Sequence, residues 1–155
     1  MTAAEAPGVL VAAALAGSTL RSARSSLVLV EWQDPGDAGD TGGSGGSGRS
    51  SGRPRYIAPL HVHHEDDEAW YVLDGVLGLL LADREVTVPA GGAVLAPRGT
   101  PHTYWNAGRG PMRYLLVMTP RIQALIAALH TSADRDPDAV ARIFREHRSE
   151  YLGWP

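Results

Sequence analysis

Leu60-His61-Val62-His63-His64-Glu65-Asp66-Asp67-Glu68-Ala69-Trp70-Tyr71-Val72-Leu73-Asp74-Gly75 is the stretch on which the reading of this chain turns. Side chains two apart on an extended strand share a face, so His61 and His63 project together while Val62 points away. His64 falls on the opposite side from His63 and reads as a surface neighbour. The run Glu65-Asp66-Asp67 is too polar for a buried strand and reads as a tight turn. Glu68 then opens the next strand, where its carboxylate can reach back to the two rings. A third imidazole, His102, follows Pro97-Arg98-Gly99-Thr100-Pro101, a turn rich in residues that fix or free φ. His61, His63, Glu68 and His102 make a mixed N/O donor set. Such a set suits a first-row transition metal and suits Ca²⁺ or Mg²⁺ poorly. His130 and His147 lie in segments with helical patterning and share no comparable spacing.

Working outward from this stretch, short apolar runs follow one another at even spacing: Tyr56 to Val62, Trp70 to Leu73, Val76 to Leu81, Glu85 to Val88, Ala93 to Ala96, Thr103 to Trp105 and Met112 to Met118. Turn residues separate them at Asp74-Gly75, Ala82-Asp83-Arg84, Pro89 to Gly92, Pro97 to Pro101 and Ala107 to Pro111. Evenly spaced short strands of this kind predict a barrel or sandwich. Val76 to Leu81 is apolar on both faces, which predicts that something covers its outer side, a second subunit or the C-terminal helices.

Before these strands, Ser26 to Trp32 is a clear strand candidate. Val9 to Leu20 is alanine-rich and fits a helix on propensity, but its Gly17-Ser18-Thr19 interruption favours short strands. Residues 36–52 are almost entirely Gly, Ser, Asp and Thr, and bury too little apolar area to offset their ordering entropy. They read as a flexible loop, of natural low complexity or an engineered splice. Gly43-x-Gly45-x-x-Gly48 and Gly42-x-Ser44-x-Gly46 imitate nucleotide-binding and nucleophile motifs by chance, since neither has a strand before it and a helix after it. After Met118 the pattern changes. Thr119-Pro120 and Asp136-Pro137 each pair an N-cap with proline at the first helical position. Apolar stripes at Ile122, Leu125, Ile126, Leu129 and at Val140, Ile143, Phe144, His147 predict two helices docked on the barrel, the second ending just before Gly153.

Composition narrows the chemistry. The chain holds 155 residues, a length suited to one domain. Its net charge of −3 gives no reason to expect nucleic acid or an anionic membrane as partner. All 14 basic residues are Arg, which excludes lysine Schiff-base and P-loop chemistry. The absence of cysteine excludes disulfides, thiolate nucleophiles and Cys-ligated zinc. The apolar run Val9 to Ala16 lacks the positive region of a secretory signal, so the expected location is cytoplasmic.

These motifs carry a family resemblance. His61-x-His63-x4-Glu68-x6-Gly75 resembles the first cupin motif. Gly91-x5-Pro97-x-Gly99-x2-His102-x3-Asn106 resembles the second. The resemblance spans roughly residues 56–118. It implies a mainly β, single-domain cupin β-barrel (a double-stranded β-helix or jelly roll) over residues 1–118, followed by two C-terminal helices within 119–155, of the small quercetinase-like type. It also implies one divalent transition metal (Mn, Fe, Co, Ni, Cu or Zn) held by His61, His63, Glu68 and His102, with the glycines, Pro97 and Asn106 shaping turns.

With four protein ligands a six-coordinate ion keeps two positions open, enough for a chelating substrate or for substrate and O₂. Trp70 shares strand parity with Glu68, and Tyr104 with His102, which places both either on the pocket wall as substrate-binding residues or in ordinary barrel core. No general base stands free, which favours direct metal–substrate chemistry over hydrolysis. The expected function is a metal-dependent dioxygenase-type oxidoreductase acting on a small aromatic or enolic metabolite, assembled as a homodimer. The alternatives are a non-catalytic small-molecule sensor, or an isomerase or decarboxylase on the same site.

Overall fold

The structure, a computed structural model, describes residues 15, 17, 19–36 and 54–155. Most of the Val9–Leu20 segment and nearly all of the Gly/Ser-rich stretch lie outside the described residues. In chain order the elements are β1 (Thr19–Leu20), β2 (Val28–Asp34), β3 (Leu60–His63), β4 (Glu68–Asp74), β5 (Val76–Leu81), β6 (Arg84–Pro89), β7 (Ala93–Ala96), β8 (His102–Asn106) and β9 (Met112–Met118). Helices α1 (Pro120–Thr131) and α2 (Pro137–Glu146) follow, then β10 (Ser149–Gly153). The strands form two antiparallel five-stranded sheets, ordered β1-β2-β9-β4-β7 and β10-β3-β8-β5-β6. This is the mainly β jelly-roll architecture with two C-terminal helices.

Alternation of side chains decides which face of each strand turns inward. In β9, Met112, Tyr114, Leu116 and Met118 are buried, while Arg113, Leu115 and Val117 between them are not. The partner strand β2 sets Val28 opposite Met118 and Val30 opposite Leu116. Trp70 and Val72 of β4 and Leu77 and Leu79 of β5 complete one contiguous core. Each such side chain stabilises the fold by about 1.5–3 kcal/mol through removal from water.

The two-faced apolar strand β5 is covered by the chain itself. A Cβ on Gly78 would lie 2.4 Å from Trp105 Nε1, so the indole lies flat over the bare backbone, and Tyr56 packs edge-on against that indole at 5.6 Å. Exposed apolar side chains stand on the other sheet at Tyr71, Leu73 and Leu95, and on this one at Leu152 of β10.

Both helices begin as their caps predict. The Thr119 side chain accepts from the Ile122 amide and the Asp136 side chain from the Asp138 amide, each followed by proline. Ile122 and Leu125 of α1 are buried, and Ile122 joins the barrel core. The end of the second helix differs from the expectation. Gly153 does not follow a helix: α2 stops at Glu146, Arg148 takes the left-handed conformation at φ 56°, and the chain re-enters the sheet as β10. Ser149 pairs with His63 and Tyr151 with His61 across β3. The physical reason is that a five-residue strand offers only two or three inward positions, too few to show a period of two after an amphipathic helix. Among the described residues no helix is long and apolar enough to cross a membrane.

Gly75 turns the chain between β4 and β5 at φ +78°, and a Cβ there would lie 2.7 Å from the Pro111 carbonyl oxygen. The left-handed backbone alone disfavours an L side chain by about 1–2 kcal/mol, and the clash is with backbone that cannot swing aside. Gly75→Ala is therefore expected to lower stability by at least about 1–2 kcal/mol, read as a lower urea midpoint at unchanged m-value.

Candidate metal centre

Three turns bring the polar cluster together. The amide of Gly99 donates to the His63 carbonyl at 2.7 Å, which ties the turn before β8 to the end of β3. Asp67 accepts from the Arg98 amide at 2.9 Å and from its guanidinium at 2.9 and 3.1 Å. These bonds hold the Asp67 carboxyl below its ordinary range. Arg121, in the first turn of α1, reaches Glu65 at 2.6 Å and Asp66 at 3.1 Å. The acidic turn between His63 and Glu68 is thus clamped from two sides, and Glu68 starts β4 in a fixed position.

His61, His63, Glu68 and His102 are all buried, and one ligating atom from each lies within 4.8 Å of all the others. His61 Nε2 is 3.2 Å from His63 Nε2, while Glu68 Oε2 is 3.3 Å from His63 Nε2 and 3.0 Å from His102 Nε2. The outer nitrogens are spoken for. His61 Nδ1 donates to the Pro59 carbonyl at 2.8 Å and His102 Nδ1 to the Thr100 carbonyl at 2.8 Å. His63 Nδ1 donates to Ser149 Oγ at 2.7 Å, whose own proton goes to the His147 carbonyl at 3.2 Å. A ring that donates from Nδ1 presents the Nε2 lone pair inward. Three lone pairs and a carboxylate therefore converge on one point, an arrangement that suits a transition-metal ion.

Burial, and then the neighbouring rings of His102 and His63, depress the pKa of His61 from 6.5 to about 3. It is neutral at physiological pH, as a ligand must be. Burial pushes the Glu68 carboxyl up, but the close approach of its oxygen to the His102 and His63 rings outweighs it, and the net shift is downward. The carboxylate is charged and faces the three imidazoles.

The remaining residues singled out in the sequence fall in different places. Tyr104 lines the cavities beside the cluster. Its phenol is pushed well above the ordinary range, chiefly by burial, and shares a hydrogen bond with Tyr114 OH at 3.3 Å. Trp70 is 1% exposed and stands edge-on behind His102 at 5.5 Å, off the walls of both cavities. His64 is a surface residue paired with Glu150 at 3.4 Å. His130 packs edge-on against Trp32, and His147 caps α2. Asn106 secures its turn, donating to the Gly110 carbonyl at 2.9 Å and accepting from the Gly108 amide. Sequence reasoning missed Ser149 and Phe144, the latter 5.4 Å from the His61 ring. Both come from the tail: the pairing of β10 with β3 brings Ser149 to the site, and α2 carries Phe144.

Residues 53–118 match the family model described as the cupin domain. Germin-like protein 1-1 of Oryza sativa subsp. japonica is 33% identical over 96 residues, 56% of this chain and 44% of that protein. The chain thus spans less than half the length of this curated relative. Among solved structures, the Schizosaccharomyces pombe Cnp3 cupin domain aligns at TM-score 0.48 and 12% identity, over 66% of this chain and 58% of that one. A sugar phosphate isomerase from a cupin superfamily, of Silicibacter pomeroyi, aligns at TM-score 0.46 and 21% identity, over 61% and 51%.

The depressed pKa of His61 makes stability depend on pH. Between 6.5 and about 3 the unfolded chain holds a proton on this ring that the folded chain does not. Stability is therefore fully present above pH 6.5 and falls as the solution is acidified, by about 1.4 kcal/mol per pH unit from this group alone. Glu68, held below its ordinary 4.5, adds to the loss under that pH. Urea midpoints of chelator-treated protein should drop between pH 6.5 and 4.5, and His61→Gln should flatten that slope; an equal slope in the variant would overturn the assignment.

Proposed function

We propose, from the premise that this chain belongs to the cupin superfamily, that it is a metal-dependent dioxygenase-type enzyme acting on a small aromatic or enolic metabolite. The observation that carries this reading is the convergence of three Nε2 lone pairs and one buried carboxylate beside an otherwise apolar cavity. His61, His63, Glu68 and His102 hold one divalent transition ion, drawn from Mn, Fe, Co, Ni, Cu or Zn, as the N/O donor set requires. When bound, such an ion supplies Lewis acidity toward substrate oxygens and, where it is redox-active, the electron transfer that dioxygen chemistry needs.

The chain's own residues bind, orient and exclude water. Tyr104, neutral and on the cavity wall, presents its hydroxyl to a substrate oxygen near the cluster. Ile122, Leu125, Ile126 and Phe144 close the inner cavity with apolar surface. Glu68 is the sole carboxylate on the described walls and is committed to the ion, which disfavours hydrolysis by a separate acid and base. Elemental analysis of protein purified without added metal is expected to find one transition ion per chain, lost in His61→Ala and His102→Ala. With flavonols, catechols and diketones in an oxygen electrode, the loaded protein should consume O₂, and either variant should lower turnover by about a hundredfold or more. Binding without O₂ uptake or product would favour a sensor, and product without O₂ uptake an isomerase or decarboxylase.

The assembly that fits is a homodimer. A second copy covers the outer face of the first sheet, where Tyr71, Leu73 and Leu95 are exposed and Leu115 and Val117 of β9 are half-exposed. Such a face can pair with itself about a twofold axis. Light scattering should give twice the chain mass at micromolar concentration and the single mass for Leu95→Glu; a monomeric parent at high micromolar concentration would refute the dimer.

A further inference from the structure

A second chamber opens beyond the metal centre. It has a volume of about 310 Å³, against about 60 Å³ for the inner cavity at the cluster. Ala58, Pro59, Tyr104, Ile126 and Leu129 line both, so the two adjoin. The outer chamber is walled by aromatic rings, with Trp32, Tyr114, Tyr151 and Trp154 joining Tyr104. Trp154 stands 59% exposed at the chamber's edge. No Asn, Gln, Ser, Thr or carboxylate lines this chamber among the described residues. Walls of this kind can stack a ring and exclude water from it, and they offer no amide or carboxylate acceptor to the hydroxyls of a sugar. The volume sits at the lower end for small-molecule sites, room for a body of one or two rings.

One cation meets this apolar chamber. Arg135 lies in the segment between α1 and α2, where its guanidinium donates through one nitrogen to the Leu129 carbonyl at 2.9 Å. That bond holds it against the end of α1 and leaves its other donors unused. The nearby carboxylates are engaged with backbone: Asp134 accepts from the Asp136 amide and Asp136 from the Asp138 amide, each at 2.9 Å. None of the ion pairs among the described residues includes Arg135. His130, edge-on to Trp32 at 5.9 Å, also lines this part of the wall.

We propose that the outer chamber binds a one- or two-ring organic carboxylate, with its ring body stacked among the aromatic walls, its carboxylate on Arg135, and its opposite edge directed to the metal centre. The last clause rests on the function proposed above. The Arg135 end does not, since it depends on no metal. The planar guanidinium matches a carboxylate through two parallel hydrogen bonds, which a neutral ring compound cannot return.

Titration calorimetry on full-length protein separates these ends, with 2-naphthoate, its neutral analogue 2-naphthamide, and glucose 6-phosphate as test ligands. Metal-free protein is expected to bind 2-naphthoate more tightly than the amide and to leave glucose 6-phosphate unbound. Arg135→Gln should weaken 2-naphthoate about tenfold, the worth of one charge-assisted contact, without changing the amide. Trp154→Ala should weaken both ring compounds. Metal loading should leave the Arg135 dependence in place, so that a failure to find metal would strike the functional reading and spare this one. Equal binding of 2-naphthoate by parent and Arg135→Gln, with circular dichroism showing both folded, would overturn the proposal. So would loss of 2-naphthoate binding on chelation, which would put the carboxylate on the ion, or binding of glucose 6-phosphate as tightly as 2-naphthoate.

Discussion

Burying three imidazoles and a carboxylate in one place is the constraint on which this structure depends. Each polar atom taken from water without a partner costs about 1–3 kcal/mol, and an unpaired charge costs more. The chain meets this by giving every ring an acceptor on its outer side: the Pro59 carbonyl, Ser149 Oγ and the Thr100 carbonyl. The inner nitrogens are then left as lone pairs around one charged carboxylate. Much of the local architecture serves that arrangement. The turn before His102 presents the Thr100 carbonyl, the segment before β3 presents the Pro59 carbonyl, and the C-terminal strand brings in Ser149.

The division of labour follows from where these partners originate. The segment that matches the cupin domain, residues 53–118, contributes all four converging side chains. The tail contributes what surrounds them. Ile122, Leu125 and Phe144 close the inner cavity, Leu129 and Tyr151 wall the outer one, and Ser149 orients His63. The donor set is thus a property of the barrel, while the shape and polarity of the space beside it belong largely to residues that follow the barrel.

Salt bridges connect the two parts beside the site. Arg121 at the start of α1 pairs with Glu65 and Asp66 in the turn that precedes Glu68. Asp66 is 7% exposed, so this contact is better shielded than the Arg98–Asp67 pair on the surface. Docking of the first helix and placement of the Glu68 carboxylate are accordingly mechanical neighbours.

The strand pattern and the donor set were legible in the residues. His61-Val62-His63 on a strand, an acidic turn, Glu68, and His102 after a Pro/Gly turn are local signals, because strand parity and turn chemistry act over a few residues. The limits of β5, β7 and β9 and both helix caps were legible for the same reason. Tertiary structure alone decided the rest. Whether Trp70 or Tyr104 faces open space depends on what packs against each: Trp70 lies against His102, and Tyr104 meets a cavity roofed by α1. The covering of β5 by Trp105 needed the close approach that only Gly78 allows. Strand β10 and its Ser149 were invisible because the bond to His63 joins residues 86 positions apart. Contacts at such separation leave no periodicity in the chain, and they form only once the sheets have set the register of β10 against β3.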